Sequence, residues 1–298
     1  MKKALFYISA AALLLSACKD GSEYAPTDAP PTEIAVEAQI GNMTRATTTG
    51  NITTFDKGDS FTLYAWTDNT TAMPQSFVVN GVKNTLGDND KWTPETPMLW
   101  ADMTTLHYFL GVYPARQVAD FTADAFTLGD DYEQNDLLAA VVLTGKKATD
   151  ADPKVSLTFD HVMARFYVNM TFRNQWEGTP TISSCTAVAA NTCTVNYLAK
   201  SVTAGAQSTV TLARQAQPSA TNFAATCSGI MIPQTGFRTV KITIDGKDYT
   251  YTHTEDIPLA AGKFTNLNLV VGRDKIELGE VSITEWTQGE TIEGGQAL

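Results

Sequence analysis

Three sets of side chains in this sequence could do chemistry: the histidines with their neighbouring carboxylates, the cysteines, and an acidic span. Asp160-His161 has the composition of half a catalytic triad, a carboxylate beside an imidazole base. His107 and His253 stand in Leu-His-Tyr-Phe and Tyr-Thr-His-Thr, and none of the three histidines lies in a GxSxG or HExxH context. Asp160-His161 therefore reads as a strand-end turn with a structural hydrogen bond, no catalytic residue is assigned, and the chain is not read as an enzyme. Cys185, Cys193 and Cys227 form no CxxC pair, so zinc is not expected. Two readings of these cysteines stay open: a Cys185–Cys193 bridge across a hairpin, or three reduced, buried thiols. Asp120, Asp124, Asp130, Asp131, Glu133 and Asp136 are of the type that calcium takes, but they lack the DxDxDG order and read as a solvated acidic loop. No metal or cofactor is expected. Trp66, Trp92, Trp100, Trp176 and Trp286 could stack on sugars, although single tryptophans in β-sandwiches are mostly core.

Two further positions mark processing. Lys2 and Lys3 precede the apolar run Ala4–Leu15 and the cleavage motif Leu15-Ser16-Ala17-Cys18. That run is too short to span a bilayer and reads as an export signal of the lipoprotein type, with Cys18 as the acylated, palmitate-bearing mature N-terminus. A proline-containing tether, Lys19–Thr32, leads to Ile34, Val36, Ala38 and Ile40, which alternate with Ala35, Glu37 and Gln39 in the period of a half-buried strand. Arg45-Ala46 follows among threonines and small residues, an extended context suited to a protease. The segment is expected to be a removable strand, cut between Arg45 and Ala46.

Positioning these residues falls to β structure. Hydrophobic residues make up 43% of the 298-residue chain and charged residues only 18%, and threonine is frequent beside valine, isoleucine and aromatics. A formal charge of −11 leaves no basic face for phosphates, which excludes nucleic acid as a partner. Strands are expected at Phe61–Trp66, Leu106–Val112, Leu137–Leu143, Val155–Phe159, Ala164–Met170, Phe264–Val271 and Val281–Trp286, with Met98–Trp100 as a shorter candidate. Asn80-Gly81 and Asp245-Gly246 are expected to be hairpin turns. The charged loop Lys146–Lys154 suggests a boundary near residue 150. No helical period or internal repeat is sustained, so the expectation is all-β, two sandwiches in tandem.

The order of these motifs resembles the fimbrillins, subunits of the type V pili of Gram-negative anaerobes. The resemblance is carried first by the lipobox, the strand ending in Arg45, Phe55-x-x-Gly58-Asp59, Trp100 and Tyr113-Pro114. It continues through Asp136-Leu137-Leu138-Ala139, Phe159-x-His161-x-x-Ala164-Arg165, Leu259-x-Ala261-Gly262-Lys263-x-x-x-Leu267 and Val281-x-Ile283-x-x-Trp286. It implies two transthyretin-like domains: a signal at 1–17, a lipidated tether and removable strand at 18–45, an N-terminal β-sandwich at 46–150 and a C-terminal one at 151–298. An outer-membrane lipoprotein precursor is implied, trimmed by an Arg-specific protease and assembled with other fimbrillin subunits by donor-strand exchange. The candidate donor strand holds Val281, Ile283, Trp286 and Ile292. The mature product would stand in a fimbrium at the cell surface and support adhesion to a host or bacterial ligand. The competing reading is a surface glycan-binding lipoprotein that does not polymerise, presenting Trp66 or Trp92 to sugars.

Overall fold

A computed structural model describes residues 32–41, 54–176 and 178–285. Among them the chain is almost entirely β. In chain order, the first strands are β1 Val36–Ile40, β2 Ser60–Trp66, β3 Val79–Leu86, β4 Trp92–Pro94, β5 His107–Tyr113, β6 Asp124–Thr127, β7 Leu138–Lys146 and β8 Val155–His161. Then come β9 Ala164–Phe172, β10 Ile182–Ala190, β11 Thr192–Asn196, β12 Ser201–Ala204, β13 Gln207–Thr211 and β14 Ala213–Arg214. The last are β15 Ala225–Met231, β16 Thr239–Ile244, β17 Lys247–Thr252, β18 Lys263–Val271 and β19 Ile276–Glu285.

The first seven-stranded sheet has the order β1-β8-β7-β5-β2-β3-β4. Both of its faces are buried, which explains runs such as Leu137-Leu-Ala-Ala-Val-Val-Leu143 that alternate in destination but not in polarity. Phe61, Leu63, Phe109, Leu138, Ala140, Leu157 and Phe159 point into one core. Tyr64, Trp66, Leu110, Val112, Leu137 and Ala139 point into a second core on the opposite face. The second core is roofed by the three-stranded sheet β12-β11-β6, so β11 and β12, from late in the chain, pair with β6 from early in it.

The remaining strands form a sandwich. The sheet β13-β10-β16-β17 faces the sheet β14-β15-β9-β18-β19 across a core of alternating residues that includes Phe166, Val168, Ile242, Phe237, Leu267 and Leu269. The hairpin at Asp245-Gly246 forms as expected, with φ of 49° and 76° at the two turn residues.

Two expectations change. Asn80-Gly81 is not a hairpin turn: β3 runs straight through it, and the pair is a bulge between the registered pairs Leu63–Val82 and Ala65–Val79. Gly81 takes φ +70°, its carbonyl accepts from Gln117 Nε2 at 2.8 Å, and a Cβ there would lie 2.2 Å from Gln117 Oε1. Glycine was thus selected by a close approach within a strand. The sheets also do not divide at 150/151: β8 lies beyond that point and completes the first sheet between β7 and β1.

Candidate functional site

The segment 32–41 closes the first core from both sides. Along its second half, β1 pairs in parallel with β8, in register from Val36–Val155 to Ile40–Phe159. The ladder is extended at its ends by Val155 N–H to the Ala35 carbonyl (2.9 Å) and Gly41 N–H to the Phe159 carbonyl (2.7 Å). Along its first half the segment turns its other edge to Met98–Trp100, with Ile34 N–H donating to the Met98 carbonyl at 2.7 Å and Trp100 N–H to the Thr32 carbonyl at 3.1 Å. Glu33 and Leu99 form an antiparallel bridge between these bonds. Met98–Trp100 follows β4, which is the far edge of the same sheet. The sheet therefore curls until its two edges nearly meet, and 32–41 is the stave that fills the gap.

The side chains follow the strand period. Ile34 and Ile40 are 4% and 3% exposed and belong to the same core as Phe61, Trp92, Trp100, Leu157 and Phe159. Val36 and Ala38 are half-buried against it. Removing the four would open an apolar slot with free backbone groups on the β8 edge. Phe55 lies at this core, with its ring edge-on to Trp92, Tyr113 and Phe159 at 5.2, 5.3 and 5.5 Å.

Polar contacts fasten the outer face. Glu37 forms an ion pair with Lys154 (2.5 Å) and accepts from the Ser156 hydroxyl. Lys154 and Ser156 hold its carboxyl below the usual carboxylate range, and Glu37 in turn raises the Lys154 ammonium. At Gly41 a Cβ would sit 2.6 Å from Asp160 Oδ1, so the chain leaves the stave through a point where only glycine fits without displacing that carboxylate.

The sequence located Ile34, Val36, Ala38 and Ile40, which the structure brings together. It missed the receiving edge, Val155, Leu157 and Phe159, although their alternation is plain, because a parallel ladder between strands far apart in sequence leaves no local trace. It also missed Met98–Trp100 as the second edge. Cys18, Arg45, Ala46, Trp286 and Ile292 lie outside the described residues. Val281 and Ile283 are in β19, registered opposite Leu267 and Thr265 of β18.

The other candidates separate. His161 turns from Asp160 and pairs with buried Asp136 at 2.8 Å, while Asp160 pairs with Lys200 at 2.5 Å. Asp120 caps Thr122, Asp124 bonds Tyr197 and Arg116, and Asp131 caps the helical turn Tyr132–Asn135. Among the described residues no group of three or more acidic, histidine or cysteine side chains could hold a metal ion. Trp66 and Trp92 are buried, and Trp66 has ring contacts with Tyr108 and Phe121 as Trp92 has with Phe55 and Phe61. Neither can be presented to a sugar, which corrects the glycan-binding reading. Cys185 and Cys193 lie in different cores, which removes the hairpin bridge.

A sequence model of the fimbrillin-like family matches residues 44–286. The chain belongs to the fimbrillin-like family. No curated protein sequence matches it. Its fold is similar to a proposed cell adhesion protein from Bacteroides uniformis, with 18% identity, TM-score 0.64, and coverage of 86% of this chain and 99% of that one. A second proposed cell adhesion protein, from Bacteroides ovatus, has 14% identity and TM-score 0.63, with 88% and 100% covered. A fimbrial protein from Bacteroides vulgatus has 12% identity and TM-score 0.53, with 86% and 99% covered. Identities this low establish shared fold; membership of the fimbrillin-like family supports a pilus subunit at the cell surface.

Proposed function

We propose that this chain is a structural subunit of a cell-surface fimbria, exported as a lipoprotein through Cys18 and held inert by segment 32–41. Cleavage between Arg45 and Ala46 frees that segment, and a strand from a neighbouring subunit takes its place. The observation that carries the reading is the stave itself, which buries Ile34 and Ile40 while bonding to two different sheet edges.

The energetics favour a cut as the trigger. Burying the two isoleucines contributes about 3–6 kcal/mol. While the chain is intact, a short tether keeps the strand at an effective concentration on the order of millimolar; at micromolar protein, losing that advantage costs about 4 kcal/mol. These terms are of similar size, so an uncut stave stays seated and a cut one can be exchanged. An emptied slot then offers an unpaired edge and apolar pockets, which recruit an extended strand. Because such a contact joins one end of a subunit to a different region of the next, it grows into a filament when its rotation does not close.

The donor belongs to the C-terminal region. Val281 and Ile283 are already paired with β18, so exchange draws either on residues beyond 285, including Trp286 and Ile292, or on a β19 stripped from its own sheet. The test is Arg45→Ala in cells that express the pilus. The expected outcome is a precursor of unprocessed length and no ladder on semi-native gels, and a ladder equal to wild type would sink the proposal.

A further inference from the structure

Two of the three cysteines among the described residues are brought together by the way the second sandwich changes sheets. Facing sheets pack about 10 Å apart on average, and a disulfide, whose Cα atoms lie roughly 4.4–6.8 Å apart, joins them where they approach more closely. A corner where two sheets converge is such a place. Here β13 pairs with β10 in one sheet and the chain crosses at Leu212 to β14, which pairs with β15 in the other. Leu212 N–H donates to the Cys185 carbonyl at 2.9 Å, and two residues later Arg214 stands opposite Cys227. Both cysteines point into the same core, where they are buried free thiols close enough to influence each other electrostatically.

We propose that Cys185 and Cys227 are a disulfide site that joins the two sheets of this sandwich once the chain has left the reducing interior of the cell. The oxidant is a disulfide of the oxidising compartment, either a small molecule or a thiol oxidoreductase. One cysteine displaces a thiol from it to give a mixed disulfide, and the second attacks that sulfur. Two S–H bonds are lost and one S–S bond forms, while two electrons and two protons reduce the oxidant to two thiols. Burial is why the bond closes as the sheets dock and is shielded afterwards. Cys193 stays out of the exchange, because it lies in the other core and burial pushes its thiol up to about 12.

The test uses the full chain collected from the cell exterior, denatured without reductant in the presence of iodoacetamide and mapped by mass spectrometry. Of Cys185, Cys193 and Cys227, only Cys193 is expected to be alkylated, and a peptide pair joined through Cys185 and Cys227 is expected. Cys193→Ala should leave that pair unchanged, and Cys227→Ala should free Cys185 and lower Tm by about 10 °C, the size expected for a bond closing a long loop. Alkylation of all three residues in the wild-type chain, or a link that includes Cys193, overturns the proposal without reference to any variant.

Discussion

Among the described residues the first and last strands, β1 and β19, both stand at the ends of their sheets, and they are built for opposite purposes. β1 spans 5 residues, runs parallel to its neighbour, and lies in a segment engaged along both edges. β19 spans 10 residues, runs antiparallel to β18 in an almost continuous register, and terminates its sheet. Burial runs the other way from length. The segment that carries the short strand seats Ile34 and Ile40 almost completely, whereas the long strand leaves Leu278 and Ile283 each 42% exposed. A strand held by side chains in a slot is replaceable by another with the same pattern, while a strand held by a long ladder is a fixture. On the proposed mechanism, exchange belongs at the first and attachment at the second.

Substitutions can break that contrast. Phe159→Ala should have the largest effect, about 3–5 kcal/mol in denaturant unfolding of the precursor, because it empties the floor of the slot and the ring cluster beside it. Next comes Ile40→Ala, at about 2–4 kcal/mol. It should also let the cut stave dissociate faster, measured as the rate at which a labelled 32–45 peptide is released; a rate equal to wild type would mean that the slot does not hold the strand through its side chains. Ile283→Ala should change stability by less than about 0.5 kcal/mol, since that residue is mostly in water. A loss comparable to Ile40→Ala would erase the distinction between the two strands.

The smallest effect concerns the outer clasp. Lys154 and Ser156 hold Glu37 below the ordinary glutamate value in the folded chain, so its contribution is fully present above that value and is lost as pH falls through the lower folded one. Hydrogen-exchange protection at Val36–Ile40 should therefore fall as pH drops below the ordinary glutamate value in wild type but lose this dependence in Glu37→Gln. An unchanged profile in the variant would assign the acid response elsewhere.

Much of this was legible in the sequence. Strict alternation in Ile34–Ile40 and Val155–Phe159 marked strands with one buried face, and Asp245-Gly246 marked its turn because both residues need positive φ. The same logic failed at Asn80-Gly81, where a turn-forming pair serves a bulge, since φ alone does not say whether the chain reverses. The span from Ile182 to Met231 was largely silent. Its strands, such as Ile-Ser-Ser-Cys-Thr-Ala-Val-Ala-Ala, carry small side chains whose burial depends on facing sheets and not on local hydrophobicity. Of the site, the removable strand was readable and its receptor was not, because partners 119 positions apart, as Ser156 and Glu37 are, share no pattern.

The pairing of β11 with β6 has a mechanical consequence. Phe121 and Tyr197 are bonded through the backbone at 2.8 Å, Tyr197 reaches Asp124, and the core beneath holds residues from Tyr64 to Ile232. The two portions of the subunit thus meet through a ladder and a packed interior with no swivel between them. Torque applied at one end is transmitted to the other with little give. In the proposed polymer of such units, bending would concentrate at the exchanged strands.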